Sequence, residues 1–203
     1  MLNRYARAFF TRVFTPVARL LLRLGIGPDT VTIVGTLGVV VGALAFFPRG
    51  QLLVGVLVIT AFVFSDTIDG VMARMQGRTG VWGAYLDSTL DRFGDAAIFA
   101  GLAIWYFEGG DDRVMALLAL ACLILGSLVS YAKARAEGVG LTANVGIAER
   151  ADRLVATLVA TGLVGLGVPD VLLKVVLALL LVASAITVAQ RMLTVRRQAL
   201  VGV

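Results

Sequence analysis

Long apolar runs separated by short polar segments dominate the pattern along the chain. Each run is close to the ~20 residues that a helix needs to cross ~30 Å of hydrocarbon. Six can be drawn, at residues 30–47, 52–74, 82–107, 114–135, 151–168 and 170–190. With 59% hydrophobic and 15% charged residues, the composition lies outside the range of soluble domains. The pattern therefore predicts an all-α integral membrane protein with six transmembrane helices.

The segment before the first run has a different pattern. In residues 1–24, apolar side chains fall on one half of a helical wheel and five arginines fall on the other. This arrangement is typical of an amphipathic helix that lies in the membrane interface. After this segment, Gly27 and Pro28 indicate a break between helices, and Asp29 or Thr30 is expected to cap the first spanning helix. No repeat or long linker divides the rest, so residues 1–203 are expected to form a single domain.

Basic residues indicate the orientation in the membrane. Of the 18 Lys and Arg residues, fourteen fall in the N-terminal segment, the second and fourth loops and the C-terminal tail. Arg49, Arg113 and Lys174 fall on the opposite side, and Arg92 lies inside the third run. Because basic loops stay cytoplasmic, both termini are predicted to be cytoplasmic in a plasma-membrane protein. Orientation and attraction to anionic membrane lipid explain the net charge of +5 without a nucleic-acid partner.

Four aspartates interrupt the apolar pattern around the turn between the second and third runs. Asp66 and Asp69 precede residues 78–79, and Asp87 and Asp91 follow them at matching distances. Spacings of three and four place each pair on one face of its helix, so the four carboxylates are expected to meet in the cytoplasmic half of the membrane. Such a cluster requires cations for neutralisation. Oxygen ligands favour Mg²⁺, Mn²⁺ or Ca²⁺, and a chain with no histidine and one cysteine offers no zinc site.

The aspartates belong to a longer pattern, DxxDGxxARx8GxxxDxxxD. Eight residues fill it with every spacing correct: Asp66, Asp69, Gly70, Ala73, Arg74, Gly83, Asp87 and Asp91. On these residues the chain resembles the CDP-alcohol phosphotransferases. The resemblance implies a six-helix membrane fold, a homodimer, and a reaction in which an acceptor hydroxyl attacks the β-phosphoryl group of CDP-diacylglycerol and expels CMP.

The resemblance also implies roles for individual residues. Asp66, Asp69 and Asp87 would bind metal, while Asp91 would be both a metal ligand and the general base, for which the chain offers no histidine. Two Mg²⁺ ions, or Mn²⁺ in their place, would neutralise the pyrophosphate. The CDP-diacylglycerol site would comprise Asp66, Asp69, Gly70, Ala73, Arg74, Thr79, Gly83 and Asp87.

The loop between the fourth and fifth runs is rich in basic residues and suggests where the acceptor binds. Arginine forks can grip a phosphate that the acceptor already carries, which favours inositol phosphate or glycerol phosphate over a neutral alcohol. The candidate residues are Ser130, Lys133, Arg135, Arg150, Arg153 and Arg191. The LDSTLDR, SYAKARAE and IAERADR segments are similar to those of actinobacterial phosphatidylinositol phosphate synthases, which implies inositol 1-phosphate. Phosphatidylglycerophosphate synthesis, or another acceptor specificity, is the alternative within the family.

Intramembrane carboxylates also occur in transporters and channels that carry cations or protons. That interpretation explains costly charges in a membrane. It does not explain their clustering at one cytoplasmic depth, because beyond Asp95, one turn after Asp91, no acidic residue continues the path before Glu108. The enzymatic interpretation is therefore preferred, and transport remains the alternative from another class.

Overall fold

The computed structural model describes residues 2–77 and 80–201, with the side chains of residues 13–65, 67–77 and 80–201. Within these residues the regular structure is helical and contains no β-strand. The helices are α1 (Leu2–Arg23), α2 (Pro28–Phe46), α3 (Leu52–Val63), α4 (Ser65–Met75), α5 (Val81–Glu108), α6 (Arg113–Gly138), α7 (Arg150–Gly165) and α8 (Val171–Val201), with a 3₁₀ turn at Phe47–Arg49. The prediction of an all-α protein is confirmed.

Four stretches of the described chain are long and apolar enough to cross a membrane. They are Pro28–Arg49, Leu52–Met75, Arg113–Gly138 and Val171–Val201. The other two predicted spans correspond to α5, which carries the charged residues Asp87, Asp91, Arg92 and Asp95, and to α7, which has only 16 residues. The structure therefore supports a membrane protein with four candidate spans, fewer than the six drawn from the sequence.

The chain divides into two compact units. The first comprises Met1–Ala43 and Leu57–Ile98, and the second comprises Leu44–Val56 and Phe99–Val203.

In the first unit, the predicted interfacial segment is an uninterrupted helix, α1, that packs along α4. Ala18 is buried in a cluster with Val71 and Met72, and Leu21 packs against the same cluster. Part of the apolar face is thus used for contact with protein, while Leu20 remains exposed. The side chains of the arginines and aromatic residues at positions 2–12 of this helix lie outside the described residues.

The predicted second span is two helices, α3 and α4, which meet at Phe64. Ser65 Oγ donates to the carbonyl of Phe62 at 2.6 Å, and a hydroxyl that binds the preceding turn bends a helix. A Cβ atom at Gly35 of α2 would collide with Ser65 Oγ. Glycine at this position therefore allows α2 to approach the α3–α4 junction closely, and this approach places Thr32 beside α4.

The first residues of α2 differ from the expected cap. The helix begins at Pro28, so Asp29 and Thr30 lie within its first turn and do not cap it. Proline suits the first helical position because its fixed φ is helical and no N–H is lost there. The Asp29 carboxylate instead accepts a hydrogen bond from Trp82 Nε1 at 3.1 Å.

In the second unit, α8 packs against both α6 and α7. Where α6 begins, Asp112 accepts from the amide of Met115 at 3.0 Å and lies 2.5 Å from Lys174 Nζ of α8. The hydrogen bond from Lys174, followed by that from Met115, lowers the pKa of Asp112 below its ordinary value. The ion pair between Asp112 and Lys174 therefore connects the start of α6 to α8.

Candidate active site

One cavity in the first unit collects most of the predicted donor-site residues. Its volume is about 690 Å³. Asp69, Gly70 and Ala73 of α4 and Gly83 and Asp87 of α5 line it, together with residues from the start of α2 and with Gly80, Trp82 and Ala84. The structure therefore brings five of the predicted residues to one place, around a space large enough for a ligand.

Helical spacing explains how this cavity is lined. Gly70 and Ala73 follow Asp69 along α4, while Gly83 lies one turn before Asp87 on α5. The absence of side chains at the glycines leaves room beside the two carboxylates. Arg74 of the same motif is exposed, and its Nη1 lies 3.6 Å from the position that a Cβ of Gly70 would occupy.

Two predicted donor-site residues are not among the described side chains. The side chain of Asp66 and the whole of Thr79 lie outside the described residues. Their assigned roles stay predictions.

Asp91 lies one turn beyond Asp87 on α5, and it is not among the described residues that line the cavity. Its carboxylate is partly buried and lies 3.9 Å from the guanidinium of Arg92, which is also 3.5 Å from Asp95. The spacing of four places Asp91 on the same helix face as Gly83 and Asp87. Its catalytic and metal-binding roles stay predictions.

Among the described residues that line this cavity, Asp69 has the most buried carboxylate, with 8% of the residue exposed. Thr32 of α2 lies 37 positions earlier in the chain, and its Oγ1 is 2.5 Å from Asp69 Oδ2 and 3.1 Å from the carbonyl of Pro28. Because a hydroxyl has one proton to donate, the carboxylate and the carbonyl compete for it. The short contact with Asp69 fixes the orientation of that carboxylate toward the cavity.

The donor atoms of the cavity suit a hard divalent cation. Asp69 and Asp87 supply carboxylate oxygens, which Mg²⁺ and Mn²⁺ prefer. Among the described side chains, no three acidic, cysteine or histidine groups lie close enough together to hold a metal ion. Asp69 and Asp87 therefore fit part of a ligand set whose other predicted member on α4, Asp66, lies outside the described side chains.

Substitution of Thr32 tests the orientation of Asp69. We expect Thr32→Val to weaken the affinity for Mn²⁺ by about tenfold, because loss of an outer hydrogen-bond partner typically lowers metal affinity by about 10–100-fold. Electron paramagnetic resonance of free Mn²⁺ in a titration of the purified protein measures this affinity. Thr32→Ser keeps the hydroxyl and should behave as the unmodified protein. Equal affinities in the Val and Ser variants would contradict the proposed orientation.

The predicted acceptor residues lie in the second unit, and two of its arginines are buried. Arg153 of α7 is 3% exposed and donates to the carbonyls of Ala148 at 3.1 Å and Gly126 at 3.3 Å. Arg191 of α8 is 5% exposed and donates to the carbonyls of Val145 at 2.9 Å and Val129 at 2.5 Å. Both guanidinium groups therefore connect the segment 139–149 to α6.

The other predicted acceptor residues are spread over the same region. Arg135 is exposed and lines a cavity of about 380 Å³ that Arg191 also lines. Lys133 is half-buried on α6, and Arg150 opens α7. Ser130 Oγ lies 3.4 Å from the carbonyl of Gly126. Arg135 and Arg191 are thus the two predicted residues that share a cavity in the described part of this unit.

Residues 26–180 match the family model described as CDP-alcohol phosphatidyltransferase. The chain belongs to this family. The family assignment made from the aspartate motif is confirmed, and with it the prediction of a phospholipid-synthesising transferase. Membership favours the enzymatic interpretation over transport.

Relatives within the family are similar over nearly the whole chain. The phosphatidylinositol phosphate synthase of Streptomyces avermitilis is 56% identical, with 98% of this chain and 84% of the relative covered. The enzyme of the same name from Cutibacterium acnes is 49% identical, with 94% and 96% covered. These names agree with the acceptor class that the loop segments implied.

A solved structure from the same family has a similar fold. The crystal structure of the phosphatidylinositol phosphate synthase of Mycobacterium tuberculosis with CDP-DAG bound is 44% identical and superposes with a TM-score of 0.87, covering 91% of this chain and 94% of the other. A second crystal structure of that enzyme, in complex with manganese and citrate, superposes with a TM-score of 0.86 and covers 90% and 88%. The manganese complex indicates divalent-metal use in this family.

Two threonines of this transferase were not predicted from the sequence. Thr32 contacts Asp69, and Thr187 of α8 binds the segment before α7. A threonine in an apolar helix can satisfy its hydroxyl with a carbonyl of its own helix. Its residue type therefore carries no signal of a distant partner.

Proposed function

We propose that the protein transfers the phosphatidyl group of CDP-diacylglycerol to a hydroxyl of inositol 1-phosphate, giving phosphatidylinositol phosphate and CMP. The observation that carries this proposal is the cavity where Asp69, Gly70, Ala73, Gly83 and Asp87 of the family motif lie together. The names of the relatives support inositol 1-phosphate as the acceptor. The family motif supports CDP-diacylglycerol as the donor.

On the donor side, Asp66, Asp69, Asp87 and Asp91 bind two Mg²⁺ ions in this proposal, with Mn²⁺ as the substitute. When bound, the metal neutralises the pyrophosphate and stabilises the negative charge that develops on the leaving group. Thr32 orients the Asp69 carboxylate. The cytidine diphosphate binds to Gly70, Ala73, Gly83, Arg74 and Thr79. The small residues among them let the ligand approach the backbone.

Asp91 is proposed as the general base. It accepts the proton of the acceptor hydroxyl while that oxygen forms a bond to phosphorus and the bond from phosphorus to the CMP oxygen breaks. The chain has no histidine for this role. Carboxylate is therefore the base type available in the motif.

The acceptor phosphate is proposed to bind Ser130, Lys133, Arg135, Arg150, Arg153 and Arg191. The basic residues of this region support this assignment, whereas the cavity that Arg135 and Arg191 share is otherwise lined mostly by apolar residues. Arg191 donates to the carbonyls of Val145 and Val129 through Nε and Nη1, and in this proposal a further N–H group of the same guanidinium binds the phosphate. A guanidinium has five N–H donors, so both functions can be combined.

We further propose that residues 1–203 form one membrane domain with six transmembrane helices and a homodimeric assembly. In this proposal α1 lies in the cytoplasmic interface of the plasma membrane, and the termini and active site are cytoplasmic. The distribution of basic residues supports the orientation. Exposed apolar residues of α1, among them Val13, Val17 and Leu20, support the interfacial position.

A radiolabelled-acceptor assay tests the proposed function. Purified protein with CDP-diacylglycerol and Mg²⁺ is offered inositol 1-phosphate, glycerol 3-phosphate, inositol and serine in parallel. We expect labelled lipid from inositol 1-phosphate alone. Product from glycerol 3-phosphate would refute the acceptor assignment and keep the donor chemistry, whereas absence of CMP release with every acceptor would refute both.

A further inference from the structure

Thr187 makes an unusual set of contacts for a threonine in the middle of an apolar helix. It is 0% exposed. Its Oγ1 donates to the carbonyl of Ala183 at 2.8 Å, one turn earlier in α8, and accepts from the backbone amides of Ile147 at 3.1 Å and Ala148 at 3.2 Å. One donor and two acceptor positions are all that a hydroxyl possesses. The hydrogen-bonding capacity of this side chain is therefore fully used.

The methyl group of Thr187 also contacts this segment. A Cβ at Gly146 would collide with Thr187 Cγ2, and Gly146 has a φ of 147°, which side-chain-bearing residues rarely adopt. The backbone at Gly146 can therefore lie against the threonine only because it carries no side chain. Both branches of Thr187 thus bind the chain just before α7.

The contact lies next to the residues that open α7. Glu149 follows Ala148 directly, and its amide donates to Asp152 Oδ2 at 3.1 Å within a capping box. The first turn of α7 carries Arg150 and Arg153, and Arg153 Nη1 donates back to the carbonyl of Ala148. The backbone of Ala148 therefore forms hydrogen bonds on both sides: its N–H donates to Thr187, and its C=O accepts from Arg153.

We propose that Thr187 is a positioning residue for the acceptor. By accepting hydrogen bonds from the amides of Ile147 and Ala148, it determines where α7 begins and how the side chains of Arg153 and Arg150 are oriented. The proposal rests on the proposed function for the identity of the acceptor. Thr187 itself does not touch substrate. Its removal leaves the amides of Ile147 and Ala148 without this acceptor. Ala148 is buried, and the cost of an unsatisfied buried amide favours a shift of the backbone.

The test compares Thr187→Val, which keeps the shape and removes the hydroxyl, with Thr187→Ser, which keeps the hydroxyl. We expect Thr187→Val to raise the KM for inositol 1-phosphate about tenfold, since one mispositioned charge-assisted contact corresponds to about that factor. The KM for CDP-diacylglycerol should be unchanged, and the Ser variant should recover the acceptor KM. Thr161→Val is the matched control, because Thr161 is a buried α7 threonine whose hydroxyl has no hydrogen-bond partner among the described residues.

A second measurement separates this proposal from the choice of acceptor. Hydrogen–deuterium exchange of the intact protein should show faster exchange at the amides of Ile147 and Ala148 in Thr187→Val than in Thr187→Ser. Gly146→Ala disturbs the same contact from the other side and should raise the acceptor KM in the same way. If glycerol 3-phosphate proves to be the acceptor, the proposed function fails, and the same KM comparison is made with that substrate.

Three outcomes would overturn the positioning role. The first is unchanged exchange at Ile147 and Ala148 in Thr187→Val, which would show that the hydroxyl does not hold these amides. The second is an equal rise of the donor and acceptor KM, and the third is the same change in Thr161→Val; either would indicate a general loss of packing.

Discussion

Asp91→Asn is expected to abolish product formation while the protein still binds CDP-diacylglycerol. Asparagine has nearly the same shape but cannot accept the proton of the acceptor hydroxyl, and loss of a general base typically costs about 10²–10⁴-fold in rate. Asp91 lies outside the lining of the Asp69 cavity, so its loss should affect donor binding less than turnover. Single-turnover release of CMP and equilibrium binding of the donor measure the two quantities separately.

Asp69→Asn is the contrasting variant and should weaken binding of both metal and donor. The Asp69 carboxylate lines the cavity and is held by Thr32. Asp95→Asn serves as the control, since Asp95 lies one turn beyond Asp91 on α5, outside the motif, and pairs with Arg92. It should keep turnover and donor binding. Equal loss of donor binding in Asp91→Asn and Asp69→Asn would contradict a separate base role for Asp91.

Arg153→Gln is expected to impair the protein in two ways. The acceptor KM should rise by about tenfold or more, because a charged fork to the acceptor phosphate is lost. The free energy of unfolding should also fall by about 1–3 kcal/mol, because the buried carbonyls of Ala148 and Gly126 lose their donors. Acceptor and donor kinetics, together with denaturant unfolding in detergent, measure these effects.

Arg135→Gln provides the comparison for stability. Arg135 is exposed, so this variant should affect acceptor kinetics without a comparable change in the free energy of unfolding. If Arg153→Gln destabilises the protein and leaves the acceptor KM unchanged, Arg153 has a structural role only. It would then be removed from the acceptor site.

The buried arginines show a limit of reasoning from charge along a sequence. A basic residue near a cytoplasmic loop has the same residue type whether it is solvated, binds a phosphate or donates to backbone carbonyls. Arg191 illustrates this, since its carbonyl partners, Val145 and Val129, are 46 and 62 positions away. Only the packing of α8 brings them together.

The second predicted span shows the same limit for backbone geometry. Its apolar composition correctly predicted helix over residues 52–74, and Leu52–Met75 remains a candidate span. The junction at Phe64 depends on the Ser65 hydroxyl and on the approach that Gly35 permits. Hydropathy averages over such single contacts, and the junction was therefore not predicted.

By itself, the sequence determined the helical membrane character, the family and the faces on which the motif residues lie. These properties depend on local quantities, namely the length of apolar runs and the spacing of three or four residues within a helix. The tertiary structure alone decided that Thr32 holds Asp69, that Arg153 binds Ala148 and Gly126, and that Thr187 binds the start of α7. Most of these contacts join residues far apart in the chain, and their existence depends on how closely the helices pack rather than on residue type.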